Sequence, residues 1–422
     1  MTSAHPKIAF FGHDSGESTI VKRVEAFRRE NCEVTCFMFC RSGKTARVDR
    51  SSTLVDLGVT QDRNYIGRLP KLLIGLLRAL RHRSVLRSAD VVYARNIDML
   101  GLAWLACVLS RSDAPLVYEV LDVQRVFTTR GRVGEIFRWI ERALLSRCRL
   151  LVVSSQHFID RYFGPVQGRD AGWILLENKV GTAHHAYPPP AHTALPSPWR
   201  IGWFGTLRCR RSLDILCQLA DRLAGRVEIV LGGRPSHKDL TVEAIKDALS
   251  SRRNIRYIGS YESPIDLPRI YEGVHFSWCV DYLDDGANSD WLVPNRIYEG
   301  GLFGAVAMAR AGTATGDLVD QRSLGFALAE PMDDAVAKLL AVLDAEAFQA
   351  RRAAVIGRPI DAFVDRQDTA SVVSVMRSWG QERRAAELSR SSAPAAVPVL
   401  SDAAGALGTR SRSAQVTTGD YQ

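Results

Sequence analysis

The chain spells one pattern twice. A short run of β-branched and aromatic residues is followed by a turn and then a stretch with helical period. In the first half the strand-like runs fall at 7–11, 33–39, 90–94, 115–121, 150–154 and 173–176, with helical stretches near 17–30, 70–87, 98–110, 134–147 and 156–163. In the second half the runs fall at 200–204, 227–231, 255–258, 275–280, 305–309 and 325–328, with helical stretches near 212–223, 240–251, 266–272, 294–303 and 333–343. Strands that alternate with helices pair in parallel and build doubly wound sheets. Residues 181–199, with Pro188, Pro189, Pro190, Pro196 and Pro198, follow neither period and read as a linker. The expectation is therefore α/β, with two Rossmann-like domains at 1–190 and 199–358 facing each other across a cleft. A returning helical region at 359–384 and a disordered Ala/Ser/Gly/Thr-rich tail at 385–422 complete the reading. A length of 422 residues suits two hydrophobic cores rather than one.

Composition narrows the class. With 46% hydrophobic and 24% charged residues, neither a wholly disordered chain nor a polytopic membrane protein fits. No apolar run reaches the roughly 18 residues of a spanning helix, and the polar start running into a strand predicts no secretory leader. The eight cysteines form no C-x-x-C pair, which predicts buried, reduced thiols in a cytoplasmic protein. The formal net charge of +9 is concentrated: residues 1–190 hold 28 Lys and Arg against 18 Asp and Glu. Within them Arg63, Arg68, Lys71, Arg78, Arg81, Arg83 and Arg87 occur with no intervening acid.

Open parallel sheets bind ligands at the carboxyl ends of their strands, so the chemistry is sought there. The first strand runs into Gly12, His13, Asp14 and Ser15 before a helix. This turn faces either a substrate or nothing but its own helix cap, and it lacks the G-x-G-x-x-G of a dinucleotide site. The strand P-L-V-Y-E-V-L ends at Asp122, a candidate general base on a partly buried cleft floor or a capping residue; one of Glu119 and Asp122 is structural. Gly205, Arg208, Arg210 and Arg211 converge at a strand-to-helix turn, where forked guanidinium groups and a helix dipole would neutralise a diphosphate. In the segment from Pro294, which suits a first helical turn, Arg296 and Glu299 share a helix face. Glu299 accepts hydrogen bonds from vicinal ribose hydroxyls, or simply pairs with Arg296.

Over residues 7 to about 380 the chain resembles the GT-B glycosyltransferases that use nucleotide-sugars, often called group 1 or family 4. The resemblance rests on the turn from Gly205 to Arg211 and on P-N-R-I-Y-E-G-G-L-F-G-A-V from Pro294. F-F-G-H-D-S and W-L-V-P-N-R-I-Y-E-G-G-L bring it nearest to bacterial exopolysaccharide enzymes of succinoglycan type. It implies that Glu299 binds the donor ribose, that Arg208 and Arg211 hold the diphosphate, and that Gly12–Gly16 and the Asp122 region face the acceptor and the transferred sugar; Arg296, on the same helix face as Glu299, is placed to reach a phosphate. It implies a nucleotide-sugar such as UDP-glucose as substrate and no bound cofactor; a metal is not implied, because arginines can neutralise the leaving group and no Asp-x-Asp pair stands out as a magnesium site. Two departures stand out: Trp291 occupies the place of the first of two glutamates, and Leu121 precedes Asp122 where a histidine is usual. A slip would bring Asp290 to the first glutamate's role. Both departures favour an inverting displacement with Asp122 as base.

The basic stretch adds a location. Leu69, Leu72, Leu73, Leu76, Leu77 and Leu80 form one helix face and Lys71, Arg78 and Arg81 another. The expectation is a peripheral helix on an anionic inner membrane leaflet, near a lipid-diphosphate-linked saccharide acceptor. The competing readings are a nucleotide-sugar epimerase on the same fold and a non-catalytic nucleotide- or nucleic-acid-binding protein. Against nucleic acid, the basic surplus is interleaved with aliphatic rather than stacking aromatic residues.

Overall fold

Runs of valine, isoleucine and aromatic residues too apolar to alternate are buried on both faces once they become strands, and here every residue of several strands is buried. A computed structural model describes residues 5–41, 53–60, 65–182, 197–236 and 240–391. In it the first lobe holds β1 (Lys7–Gly12), β2 (Glu33–Arg41), β3 (Thr53–Thr60), β4 (Val91–Arg95), β5 (Leu116–Val120), β6 (Cys148–Val153) and β7 (Trp173–Leu175). They pair in parallel in the order β3-β2-β1-β4-β5-β6-β7. After β8 (Val180–Gly181), the second lobe holds β9 (Trp199–Leu207), β10 (Val227–Pro235), β11 (Ile255–Tyr257), β12 (Phe276–Trp278), β13 (Val306–Arg310) and β14 (Gly325–Leu328), parallel in the order β11-β10-β9-β12-β13-β14. Strand order reverses between β1 and β4 in one sheet and between β9 and β12 in the other. Ligand crevices open at such reversals.

Helices cover both faces. In the first lobe they are α1 (Ser18–Arg29), α2 (Tyr65–Leu80), α3 (Arg83–Ser88), α4 (Ile97–Ser110), α5 (Arg125–Thr128) and α6 (Arg132–Leu145). Phe11 and Phe37 stack at 4.7 Å between centroids in the layer under α2 and α4. Truncating either to alanine would cost about 3–5 kcal/mol. All eight cysteines are free thiols, seven of them buried. Among the described residues both lobes belong to one compact unit that ends at Gln381. Within the unit that holds both lobes, β15 (Val364–Asp365) lies parallel to β8. The terminal helix Asp368–Ser391 then buries Val372, Val373 and Met376 with Ile8, Val24 and Phe27 of the first lobe. Arg23 Nη1 donates to Thr369 Oγ1 at 2.9 Å, tying that return.

Several expectations are corrected. The strand β3 was not read because Asp56 and Gly58 interrupt its apolar alternation. An edge position with a register shift opposite Met38 and Phe39 tolerates both. The helices Asn288–Trp291, Ala314–Arg322 and Ala345–Ile356 were also missed; the second starts on a Thr313 cap that offsets the cost of Gly316. The terminal helix continues to Ser391, so 385–391 are helical, while 392–422, most of the linker (183–196) and Arg63 lie outside the described residues. The helix read at 70–87 is two, α2 and α3, and Pro70 is inside α2. Of its leucines, Leu72, Leu76 and Leu80 pack inward on the lobe core, whereas Leu73 and Leu77 are exposed; nothing is described for the side chains of Arg68 and Leu69. Arg78 pairs with Asp56, and Arg87 donates to Ser110 O. The apolar face assigned to a membrane is thus mostly core. Among the described residues no helix is long and apolar enough to cross a membrane.

Candidate active site

The carboxyl ends of both sheets meet across a cavity of about 690 Å³. From the first lobe it is lined by Gly16, Glu17, Ser18 and Thr19 after β1, Arg41 at the end of β2, Asp122 after β5 and Ser154 after β6. The second lobe contributes Gly205 and Arg208 from β9 and its following turn, Gly233 and Arg234 from β10, Tyr261, and Pro294, Arg296 and Glu299. Arg208 and Glu299, far apart in sequence, therefore share one hollow.

The second-lobe wall follows from local chemistry. Gly205 has φ 113° and an added Cβ would meet nothing, whereas a Cβ on Gly233 would lie 1.8 Å from Gly205 O. Only glycine lets these two backbones pack together and leave the cavity open. Arg208 Nη2 donates to Asp281 Oδ2 at 3.1 Å. Burial pushes the Asp281 carboxyl up, but Arg208 and Arg296 hold it below the usual carboxylate range. Arg296 Nη1 donates to Phe204 O at 3.4 Å, and its buried Nε has no hydrogen-bond partner. Glu299 accepts from Tyr271 Oη at 3.1 Å. Burial raises its pKa, opposed by Lys22 from α1, by the Tyr271 bond and by Arg296. Pro294 is the extended N-cap of the helix Asn295–Leu302, not its first turn.

Arg211 is not part of this wall. It is half-exposed on the helix Arg210–Arg222, donates to Asp285 at 3.2 Å, and lies 4.0 Å over the Tyr282 ring. Arg310 stacks on the same ring at 4.8 Å and pairs with Asp285 and Asp290. Asp290 is thereby consumed on a separate short helix, so the slip that would make it the missing carboxylate does not occur. Trp291 instead bridges the lobes: its ring stacks on Tyr162 at 6.4 Å, and Leu292 is buried in the first lobe's core.

On the first-lobe side, the residues expected to face substrate, Gly12, His13, Asp14 and Ser15, stand behind the wall, and the next four line it. Asp14 is fully buried, accepts from Gly16 N at 3.0 Å and pairs with Arg41. Asn96 Nδ2 lies 3.0 Å from His13 Nδ1. An amide N–H donor there fixes the imidazole proton on Nε2, which lies 2.6 Å from Glu17 Oε2. Asn96 holds φ 72° and ψ 157°, a region almost reserved for glycine. Burial would raise the Glu17 pKa, but His13 and Arg95 hold it well below the usual carboxylate range. Glu17 was missed because its position at a helix start reads as capping. Asp122 lines the cavity but is exposed rather than partly buried. Asn288 from the second lobe donates to Asp122 Oδ1 at 3.1 Å and accepts from Val123 N at 2.8 Å. Glu119 is the structural member of its pair, buried and bonded to Arg23 at 3.0 Å. Among the described residues no group of three or more His, Cys, Asp or Glu gathers as metal ligands.

No protein-family profile matches the chain. It is 36% identical over 330 residues to the succinoglycan biosynthesis protein ExoL of Rhizobium meliloti (strain 1021), covering 76% of this chain and 81% of that protein. Anabaena Alr3699/HepE in complex with UDP and glucose matches with a TM-score of 0.65 at 15% identity, over 89% of this chain and 100% of that one. Sucrose-phosphate synthase (tll1590) from Thermosynechococcus elongatus matches with a TM-score of 0.69 at 13% identity, over 89% and 99%. At such identities the solved structures establish the fold, and the sequence relationship establishes the kinship. The chain belongs to the family of the succinoglycan biosynthesis protein ExoL, built on the GT-B glycosyltransferase fold.

Proposed function

We propose that this protein is a hexosyltransferase of exopolysaccharide biosynthesis. It moves a hexose, glucose favoured, from a nucleotide-sugar to a lipid-diphosphate-linked oligosaccharide at the inner face of an anionic membrane. The observation that carries the reading is the single cavity in which Arg208, Arg234, Arg296 and Glu299 face Asp122 and Glu17 from the opposite lobe. The kinship with ExoL supports the pathway, and the HepE complex with UDP and glucose supports a uridine diphosphate donor. Glu299 takes the ribose hydroxyls, and Arg208 and Arg296 take the diphosphate.

Chemistry then follows an inverting displacement. Asp122, aimed by Asn288, removes the proton of the acceptor hydroxyl as that oxygen attacks the anomeric carbon. The bond from the anomeric carbon to the diphosphate oxygen breaks, and its electron pair leaves on the nucleotide, neutralised by the arginines. Glu17, held ionised, accepts hydrogen bonds from acceptor hydroxyls. The test is a panel of nucleotide-sugars in a thermal-shift format, with Glu299→Ala alongside. One donor is expected to raise the melting temperature of the wild type and not of the variant. If no nucleotide-sugar shifts melting, or the variant responds equally, the reading is wrong.

A further inference from the structure

Ten of the fifteen large apolar side chains that are exposed among the described residues sit on three helices of the first lobe. They are Leu73, Ile74 and Leu77 on α2, Leu105, Val108 and Leu109 on α4, and Val133, Ile136, Trp139 and Ile140 on α6. The helices are neighbours in one layer: α4 packs against both α2 and α6, and all three cover the same core. The case of α6 is the most telling. Its inward face packs Gly134, Phe137, Glu141, Leu144 and Leu145 on the lobe, yet Val133, Ile136 and Ile140, one helical stripe, point out with Trp139 at 67% exposure. A solvated surface helix keeps that outer face polar. Scattered exposed leucines need no explanation, but a stripe repeated on three adjacent helices does.

The surroundings identify the occupant. Residues 71–88, 97–111 and 130–147 carry eleven Lys and Arg against three Asp and Glu, one of which is the buried Glu141. Arg81, Arg83, Arg111, Arg132 and Arg147 are exposed near the helix ends. A second copy seated on this face would bring two such basic rims together, which repels. A broad apolar face with a tryptophan and a basic rim matches the boundary between acyl chains and anionic headgroups instead.

We infer that the outer face of α2, α4 and α6 is a membrane-docking surface that inserts Trp139, Ile136 and their neighbours into an anionic leaflet. It stands on exposure and charge; the lipid-linked acceptor of the proposed function gives it a purpose but does not support it. It also replaces a docking role for α2 alone, whose remaining leucines are core.

The test is flotation of the full-length protein with vesicles of phosphatidylglycerol and phosphatidylcholine in equal parts, and with phosphatidylcholine alone, without nucleotide or acceptor. Wild type is expected to float with the anionic vesicles. The double variant Ile136→Ser/Trp139→Ser is expected to lose binding about tenfold or more, since each side chain removes a large apolar area from water, and to melt as wild type does. Should that variant fail to fold, Arg132→Glu/Arg147→Glu, which touches only exposed side chains, is expected to lower binding to anionic vesicles alone. Wild type that stays unbound, variants that bind equally, or a dimer that Ile136→Ser/Trp139→Ser dissociates without any vesicle binding would each overturn the inference. Donor binding in the same samples separates the two proposals: a protein that shifts melting with nucleotide-sugar but ignores vesicles refutes the surface and leaves the transfer reading intact.

Discussion

Arg208 and Asp281 are joined by a 3.1 Å hydrogen bond across the point where strand order reverses in the second lobe. The bond fixes the guanidinium fork at the cavity wall before any ligand arrives, so no side-chain entropy remains to be lost at that position. Arg208→Ala is expected to weaken nucleoside diphosphate binding about 10- to 100-fold by calorimetry, the range for lost charge-assisted bonds. Arg208→Lys is expected to rescue little, because a single ammonium cannot serve both Asp281 and a phosphate in fork geometry.

Arg211, by contrast, is engaged by Asp285 and the Tyr282 ring. Arg211→Ala is expected to leave nucleoside diphosphate affinity within about twofold of wild type, as surface ion pairs contribute little. A drop as large as that of Arg208→Ala in the same calorimetry would restore Arg211 to the diphosphate site.

For the reaction itself, Asp122→Asn is expected to lower kcat about 10²- to 10⁴-fold, the contribution of a positioned base, with donor affinity nearly unchanged. Asn288→Ala, which frees the Asp122 carboxylate to rotate and removes the acceptor of Val123 N, is expected to fall between that variant and wild type. Steady-state rates at saturating donor test both.

The strained Asn96 gives an unusual expectation. Its backbone conformation costs about 1–3 kcal/mol, which glycine would not incur, while its amide bond to His13 is worth about 1 kcal/mol. Asn96→Gly should therefore melt at or above the wild-type temperature. Transfer should slow, because His13 no longer holds Glu17. A variant both less stable and fully active would show that the strain has no functional counterpart.

A pH effect is expected away from the cleft. Burial pushes the Glu141 carboxyl up to about 7, against the bonds it accepts from Tyr162, Gln167 and Tyr118. Its folded pKa lies above its unfolded value, so its stabilising contribution is complete below about pH 4.5 and is lost as pH rises through 7. The loss is ~3 kcal/mol at most. Glu141→Gln, which cannot ionise, should gain on wild type in melting temperature between pH 5 and pH 8. Parallel changes in the two proteins across that range would contradict the shift.

The sequence by itself determined the central strands of the two sheets, because short apolar runs rich in β-branched and aromatic residues, alternating with helical stretches, favour doubly covered strands that pair in parallel. It also directed the search to strand ends, and Gly205, Arg208, Arg296, Glu299 and Asp122 all line the cavity there. Edge strand β3 was illegible, since an edge tolerates an aspartate and a glycine that a central strand would not.

Tertiary structure alone decided what each polar residue does once the lobes face each other. Arg208 and Arg211 look alike in sequence, yet one ends a strand at the cavity and the other, on the following helix, meets Asp285 and Tyr282. Gly12 to Ser15 looked like a substrate loop and became the support behind Glu17, because Asn96 reaches His13 from the turn between β4 and α4. The leucines of α2 read in one dimension as a single membrane-facing stripe, yet the fold turns Leu72, Leu76 and Leu80 inward and leaves Leu73 and Leu77 exposed. Whether a helix turns such a stripe toward the sheet or away from it depends on what occupies its other face, in α6 Gly134, Phe137 and Glu141, and no periodicity records that choice.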